Sequence, residues 1–192
     1  MQRYIAENEL SREELQRLRN KRSGLAIFQI SWIMVFVCLV IVNWQLRSGQ
    51  VSWPPPGVDA PSPVLPTLAT GGLLASVWFA RWAARALKAD DLATFFSGWR
   101  VVLVLATAFV LIIAYEWLRL PTSGIYSEVY RMMTAFHAFH ALVIGAFMGM
   151  IYRGAQAGNY GSANFWPVEG AASLWYFVVF AWILFYVVLY LI

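Results

Sequence analysis

Two histidines, His137 and His140, stand three residues apart in the apolar run TAFHAFHALVIG (134–145), and the whole chain has 2 histidines. Imidazoles in such a place could ligate a haem or a metal, or could pack and hydrogen-bond. Spacing argues against ligation by the pair. Residues three apart on a helix lie about 60° apart around its axis, so both rings leave on one side. Bis-histidine haem ligation needs one imidazole above the macrocycle and one below, which takes two facing helices. A metal would need further ligands, and within the apolar segments only Glu116 is even conceivable. The single cysteine, Cys38, lies inside an apolar segment, so there is no C-x-x-C-H haem attachment and no thiolate cluster. No catalytic, cofactor-binding or metal-ligating residue is assigned. His137 and His140 are expected to hydrogen-bond across helices or to a lipid headgroup.

Other polar residues in apolar surroundings are functional candidates because their burial is costly. Glu116, in IIAYEWLRL, lies one turn from the end of its apolar segment, beside the interface residues Tyr115 and Trp117. Its carboxylate is expected to reach headgroup water or pair with Arg119. Gln29, Ser31 and Asn43 are neutral groups suited to bonding a neighbouring helix. No acidic residue falls near the middle of an apolar segment, which argues against this chain alone being a proton pump or ion-coupled transporter.

These residues need elements to position them, and composition names the kind. With 60% hydrophobic residues, 12% charged and 10 tryptophans in 192 positions, the chain is too apolar for a soluble domain. Five segments are long enough to cross a hydrocarbon core: about 25–46, 66–87, 101–118, 129–152 and 170–192. They lack the alternation of barrel strands and must be helical. The expected fold is all-α, a polytopic membrane protein with five transmembrane helices over 24–192, preceded by a basic segment, 1–23. That segment is too polar for a signal peptide. SREE (11–14) has capping-box spacing and predicts a short surface helix to about Arg22.

All 14 Lys and Arg except Arg47, Arg119 and Arg131 fall on the N-terminal segment, around the second helix end (Arg81, Arg85, Lys88, Arg100) or at Arg153. The positive-inside rule then puts the N-terminus in the cytoplasm and the C-terminus outside. Arg81 would snorkel toward the cytoplasmic surface. The six prolines of QVSWPPPGVDAPSPVLP (50–66) predict a stiff, non-helical connector on the outer surface. Small residues recur every four positions at Gly72, Ser76, Ala80 and Ala84, and at Ala141, Gly145 and Gly149. Each row predicts a face that another helix approaches closely, with His137 on the second.

The order of four motifs resembles subunit III of haem–copper oxidases (cytochrome c oxidase), in its short five-helix form. These are WPPPG (53–57), AYEW (114–117), GIYSEVYRMMTAFHAFHALVIG (124–145) and VEGAASLWYFVVFAWILFYVVLYL (168–191). The resemblance implies an accessory subunit with no redox centre of its own in a bacterial plasma membrane, packing on subunits I and II. Subunit I would hold the haems and copper that reduce oxygen to water in aerobic respiration, with electrons from cytochrome c or quinol. It also implies bound phospholipid, support of proton uptake, possible membership of a larger respiratory assembly, and no nucleic-acid partner. His137, His140, Glu116 and Glu169 match the family pattern and inherit a structural or lipid-contacting role. Trp32 stands where the family often has an acidic residue, and Tyr176 and Val179 where it has histidine and aspartate. The alternatives are a subunit III-like component of nitric oxide reductase and a membrane cytochrome b anchor.

Overall fold

The computed structural model describes residues 11–120 and 124–192. Residues 1–10 of the basic segment, Arg3 among them, lie outside that range. The described residues form no strand. Their helices are α1 (Arg12–Ser48), α2 (Val64–Lys88), α3 (Leu92–Arg119), α4 (Ile125–Gln156) and α5 (Trp166–Tyr186), the last running on as a π-helical turn over Val187–Leu191. A short 3-10 turn, Ser162–Asn164, precedes α5. All five helices are long and apolar enough to cross a membrane.

Helix ends follow local chemistry, and except at the C-terminal end of α5 they lie outside the apolar spans read from the sequence. Helix α1 opens on the predicted capping box: the Glu14 amide donates to Ser11 Oγ at 3.3 Å, and the Ser11 amide donates to Glu14 Oε2 at 2.9 Å. The short surface helix is not separate, however. It is the first turns of a single 37-residue helix. A lone Gly24 costs a helix only about 1 kcal/mol, and no proline stands between Arg22 and the apolar run. Helix α3 begins at Leu92, well before the apolar run at 101, because Asp91 caps it by accepting from the Thr94 amide at 3.0 Å. Its first turns are amphipathic and bury Phe95 and Trp99. Helix α4 starts after Gly124, whose φ of 112° is a conformation few other residues adopt.

Helices α2 and α3 form a tight antiparallel hairpin and pack most extensively on each other; α5 packs on α4 and α2, and α3 on α4. Helix α2 comes close to α3 at Gly98. A Cβ there would lie 3.0 Å from Ala83 Cβ and 3.3 Å from the Phe79 carbonyl. Helix α1 lies outside this four-helix body, mainly against α5. Only 6% of its most apolar stretch is buried by the chain, against 39% for α4 and for α5. The proline-rich connector is non-helical, with a cis Trp53–Pro54 bond. It folds back so that Trp53 meets Tyr126 edge-on at 5.2 Å, over a small satellite core of Leu120, Tyr126 and Tyr130.

Candidate functional site

Indole N–H groups organise the interior. A tryptophan buried in an apolar medium needs an acceptor for its one donor. Trp175 donates to Ser76 Oγ at 2.9 Å and Trp182 to Thr70 Oγ1 at 2.8 Å, both from α5 to α2. Thr67 and Tyr186 share a third hydroxyl contact at 2.6 Å. The numbers rise along one helix as they fall along the other, as an antiparallel ladder requires. Trp117 donates to Thr134 Oγ1 at 2.7 Å and Trp99 to the Met148 carbonyl at 3.0 Å, joining α3 to α4. Sequence reasoning did not find these pairs. The available signal was tryptophan seven apart on α5 facing hydroxyls six apart on α2.

The two histidines of α4 sit among aromatic rings. His137 is fully buried, with Phe109 at 5.4 Å, Trp182 at 5.2 Å and Phe36 at 6.2 Å. Neither ring nitrogen has a hydrogen-bond partner among the described residues. His140 Nδ1 lies 2.6 Å from the Phe136 carbonyl, to which it donates. Trp32 stands edge-on to it at 4.9 Å. Among the described residues neither histidine hydrogen-bonds to another helix. The His140 bond closes within its own helix, and His137 is held by ring packing, because the facing surfaces of α1, α3 and α5 supply aromatic groups there. Among the described residues no three His, Cys, Asp or Glu come together as a metal site would require.

The small-residue rows separate. Ser76, Ala80 and Ala141 are buried within the chain, and a Cβ on Gly72 would meet Leu105 at 3.6 Å. Gly145 and Gly149 are half-buried, and nothing lies within 4 Å of where their Cβ would be. Among the described residues no helix packs closely there. A close approach falls instead at Gly98, on a helix without such a row.

Charge gathers at the two ends of the bundle. At the end bearing the start of α1, Glu169 in the first turn of α5 accepts from Arg22 Nε at 2.8 Å and from Lys88 Nζ, so one carboxylate ties α1, α2 and α5 together. Nearby, Gln29 donates to the Ser173 carbonyl at 2.9 Å, and the Arg81 guanidinium lies 5.2 Å from the centre of the Tyr176 ring. Arg81 is exposed. Of the positions where the oxidase pattern has ionisable groups, Trp32 packs on Phe28 and His140, Tyr176 lies under Arg81, and Val179 is buried.

At the opposite end, a cavity of about 300 Å³ is lined by Asp59, Ala60, Pro61, Ser62, Glu116, Arg119 and Leu120. Glu116 is only 3% exposed. The predicted neighbour Arg119 lines the same cavity, with its guanidinium 5.7 Å from the Tyr115 ring centre. The structure brings these two together, and leaves them remote in sequence and element from the histidines and from Glu169.

Fold and polar architecture together define a polytopic helical bundle whose buried polar groups join helix to helix. The chain matches the family model for cytochrome c oxidase subunit III over residues 7–192. It belongs to the cytochrome c oxidase subunit III family. Among its relatives is the cytochrome c oxidase subunit 3 of Thermostichus vulcanus, 28% identical over 172 residues, covering 88% of this chain and 85% of the relative. The subunit 3 proteins of Anopheles gambiae and Drosophila melanogaster are 27% and 26% identical over 181 residues, covering 88% of this chain and 68% of each relative.

Proposed function

We propose that this chain is the accessory subunit III of a proton-translocating haem–copper terminal oxidase, carrying no cofactor itself and packing on subunits I and II. The observation that carries the reading is the family match along nearly the whole chain. Its buried polar groups have the character of a scaffold: indole-to-hydroxyl bonds and one shared carboxylate serve to hold helices in register. Trp32 and Val179 put apolar groups where the resembled pattern has acids, which favours stabilising the complex and retaining lipid over conducting protons. The basic end of the bundle faces the cytoplasm of a bacterial cell, by the distribution of Lys and Arg. Glu116 and Arg119 then lie at the outer headgroup level and contact phospholipid.

Purification of the tagged chain from its native membrane in mild detergent tests this. Subunits I and II and a haem–copper optical spectrum should accompany it. Recovery with a nitric oxide reductase and no oxidase would replace the reading, as would a Soret band in the isolated chain that disappears in His137→Ala.

A further inference from the structure

One outward face of the bundle differs from the rest. Near mid-membrane depth the large outward side chains of the other helices are apolar: Met34 on α1, Val104 and Leu111 on α3, Leu142 on α4 and Phe180 on α5. Lipid tails solvate such surfaces as they stand. Helix α2 instead turns Trp78 and Arg81 outward, one turn apart and both exposed.

Depth decides what that means. Helix α2 centres on Ser76, so Trp78 stands about 3 Å and Arg81 about 7 Å beyond its midpoint, while the hydrocarbon core extends about 15 Å to either side. Lipid tails offer the Trp78 indole N–H no acceptor. Its interior counterparts Trp99, Trp117, Trp175 and Trp182 all have one. Among the described residues Trp78 has ring contacts alone, stacking on Trp82 at 5.9 Å and meeting Phe79 edge-on.

Arg81 is the more demanding of the two. A guanidinium within hydrocarbon is costly and is ordinarily paired, yet none of the ion pairs among the described residues includes it. It lies 5.2 Å from the centre of the Tyr176 ring. Tyr176 follows Glu169 by seven residues on α5, and Arg81 precedes Lys88 by seven on α2. The contact therefore keeps the cation about 10 Å inside the Glu169–Lys88 pair and does not lead it to the surface. The ring face attracts the cation but leaves its fork of in-plane N–H donors to an anion. Arg85, one turn nearer the surface, reaches headgroup level unaided.

We propose that this face of α2 docks a transmembrane helix of an adjoining oxidase subunit, which sets a carboxylate on Arg81 and an oxygen acceptor on Trp78. The inference rests on the reading above that the chain is one subunit of a larger complex. Gly71 and Ala75, exposed on the same side toward the outer half, let that helix approach closely. Tryptophan and arginine are also the side chains that most often anchor a protein interface. A phospholipid does not fit, because its phosphate stays at headgroup level. A second copy of this chain does not fit either, since the chain has no acidic residue near the middle of an apolar segment.

The test places photoreactive benzoylphenylalanine at position 78 of the full chain, illuminates native membranes, purifies the complex and identifies the cross-linked peptides by mass spectrometry. Position 111 on α3 serves as the lipid-facing control. Position 78 should couple to a transmembrane peptide of an oxidase subunit that contains aspartate or glutamate, and position 111 should not. Arg81→Gln should lower recovery of that subunit in mild detergent on the order of tenfold, and Arg81→Glu further. Changing the identified carboxylate to lysine should restore recovery in Arg81→Glu, which a merely misfolded variant would not allow. Coupling of position 78 to lipid alone, to a second copy of this chain or to a peptide without an acid would overturn the proposal, as would full recovery with Arg81→Gln. Subunits I and II coupled only through other faces would sink the docking face and leave the subunit III reading standing, whereas absence of both subunits would strike that reading instead.

Discussion

Glu169 and Glu116 are the same kind of residue, largely withdrawn from water at opposite ends of one bundle, and the chain treats them in opposite ways. Glu169 lies in the first turn of α5, where the helix dipole favours negative charge, and it accepts from Arg22 and Lys88 on two other helices. Lys88 is fixed further by lying 4.3 Å from the Phe165 ring centre. Glu116 lies in a last turn, where the dipole opposes it, and has no hydrogen-bond donor among the described residues. The first carboxylate completes a fold. The second completes a cavity. A carboxylate bonded by two other helices is thus explained by stability, and one that lines a cavity without such bonds is not.

The strongest test of that contrast is to remove each carboxylate. Glu169→Ala removes the carboxylate that Arg22 and Lys88 share, and the loss should be on the order of 3 kcal/mol. It should appear as a clear drop in the thermal midpoint of the detergent-solubilised complex, with α1 exchanging its amides faster. Glu116→Gln should change the midpoint little or raise it, because the carboxylate makes no hydrogen bond among the described residues and lies in a last turn, where the helix dipole disfavours its charge. Equal destabilisation by both would break the comparison.

The clamp can be sharpened by a double-mutant cycle. If Lys88 matters chiefly as the partner of Glu169, then Lys88→Gln combined with Glu169→Gln should be less damaging than the two single effects added. The coupling should be about 1–2 kcal/mol for groups that remain partly wet. Additive effects would mean that Lys88 contributes little to holding Glu169.

A smaller effect separates the clamp from the ladder beside it. Trp182→Phe keeps the ring packed on Phe109 and removes only the N–H that reaches Thr70. Thr70 retains its own bond to the Pro66 carbonyl at 2.7 Å, so no buried donor is stranded. The loss should be about 1 kcal/mol, well below that of Glu169→Ala. A larger loss would move the main anchor of α5 from its charged end to its tryptophans.

The sequence carried the helices readily, because hydrophobic runs near twenty residues and a capping box at Ser11 are local signals. It carried less of what happens at their ends: the amphipathic first turns of α3 are not apolar enough to be seen by a count of hydrophobic residues, and Asp91 extends the helix by capping it. Glu116 and Arg119 were legible as neighbours because they are three apart on one helix. The partners of Glu169 were not, since Arg22 lies 147 residues away and Lys88 81 residues away in the chain. Nor could spacing alone tell that the row at Gly145 and Gly149 stands open while Gly98 makes the close contact. A small residue permits an approach without saying which helix makes it.

The smallest predicted effect concerns a carboxylate wholly in water, which fixes the lower end of the same scale. Asp90 has a φ of 56° in the α2–α3 turn and accepts from the Ser162 amide at 2.8 Å, linking that turn to the one before α5. The hydrogen bond from Ser162 holds the Asp90 carboxyl below its ordinary value of 3.8. A lowered pKa in the folded state means that this contact stabilises fully above 3.8 and is lost as the pH falls below it through the folded value. Hydrogen exchange at the Ser162 amide should therefore stay protected down to about pH 4 and, after correction for intrinsic rates, lose protection under more acid conditions. Asp90→Ala should remove that protection at every pH while leaving the thermal midpoint of the complex almost unchanged, since in this exposed contact the Ser162 amide donates to water once its acceptor is gone. A midpoint shift as large as that of Glu169→Ala would show that exposure does not order the three carboxylates, and the contrast between Glu169 and Glu116 would then need another cause.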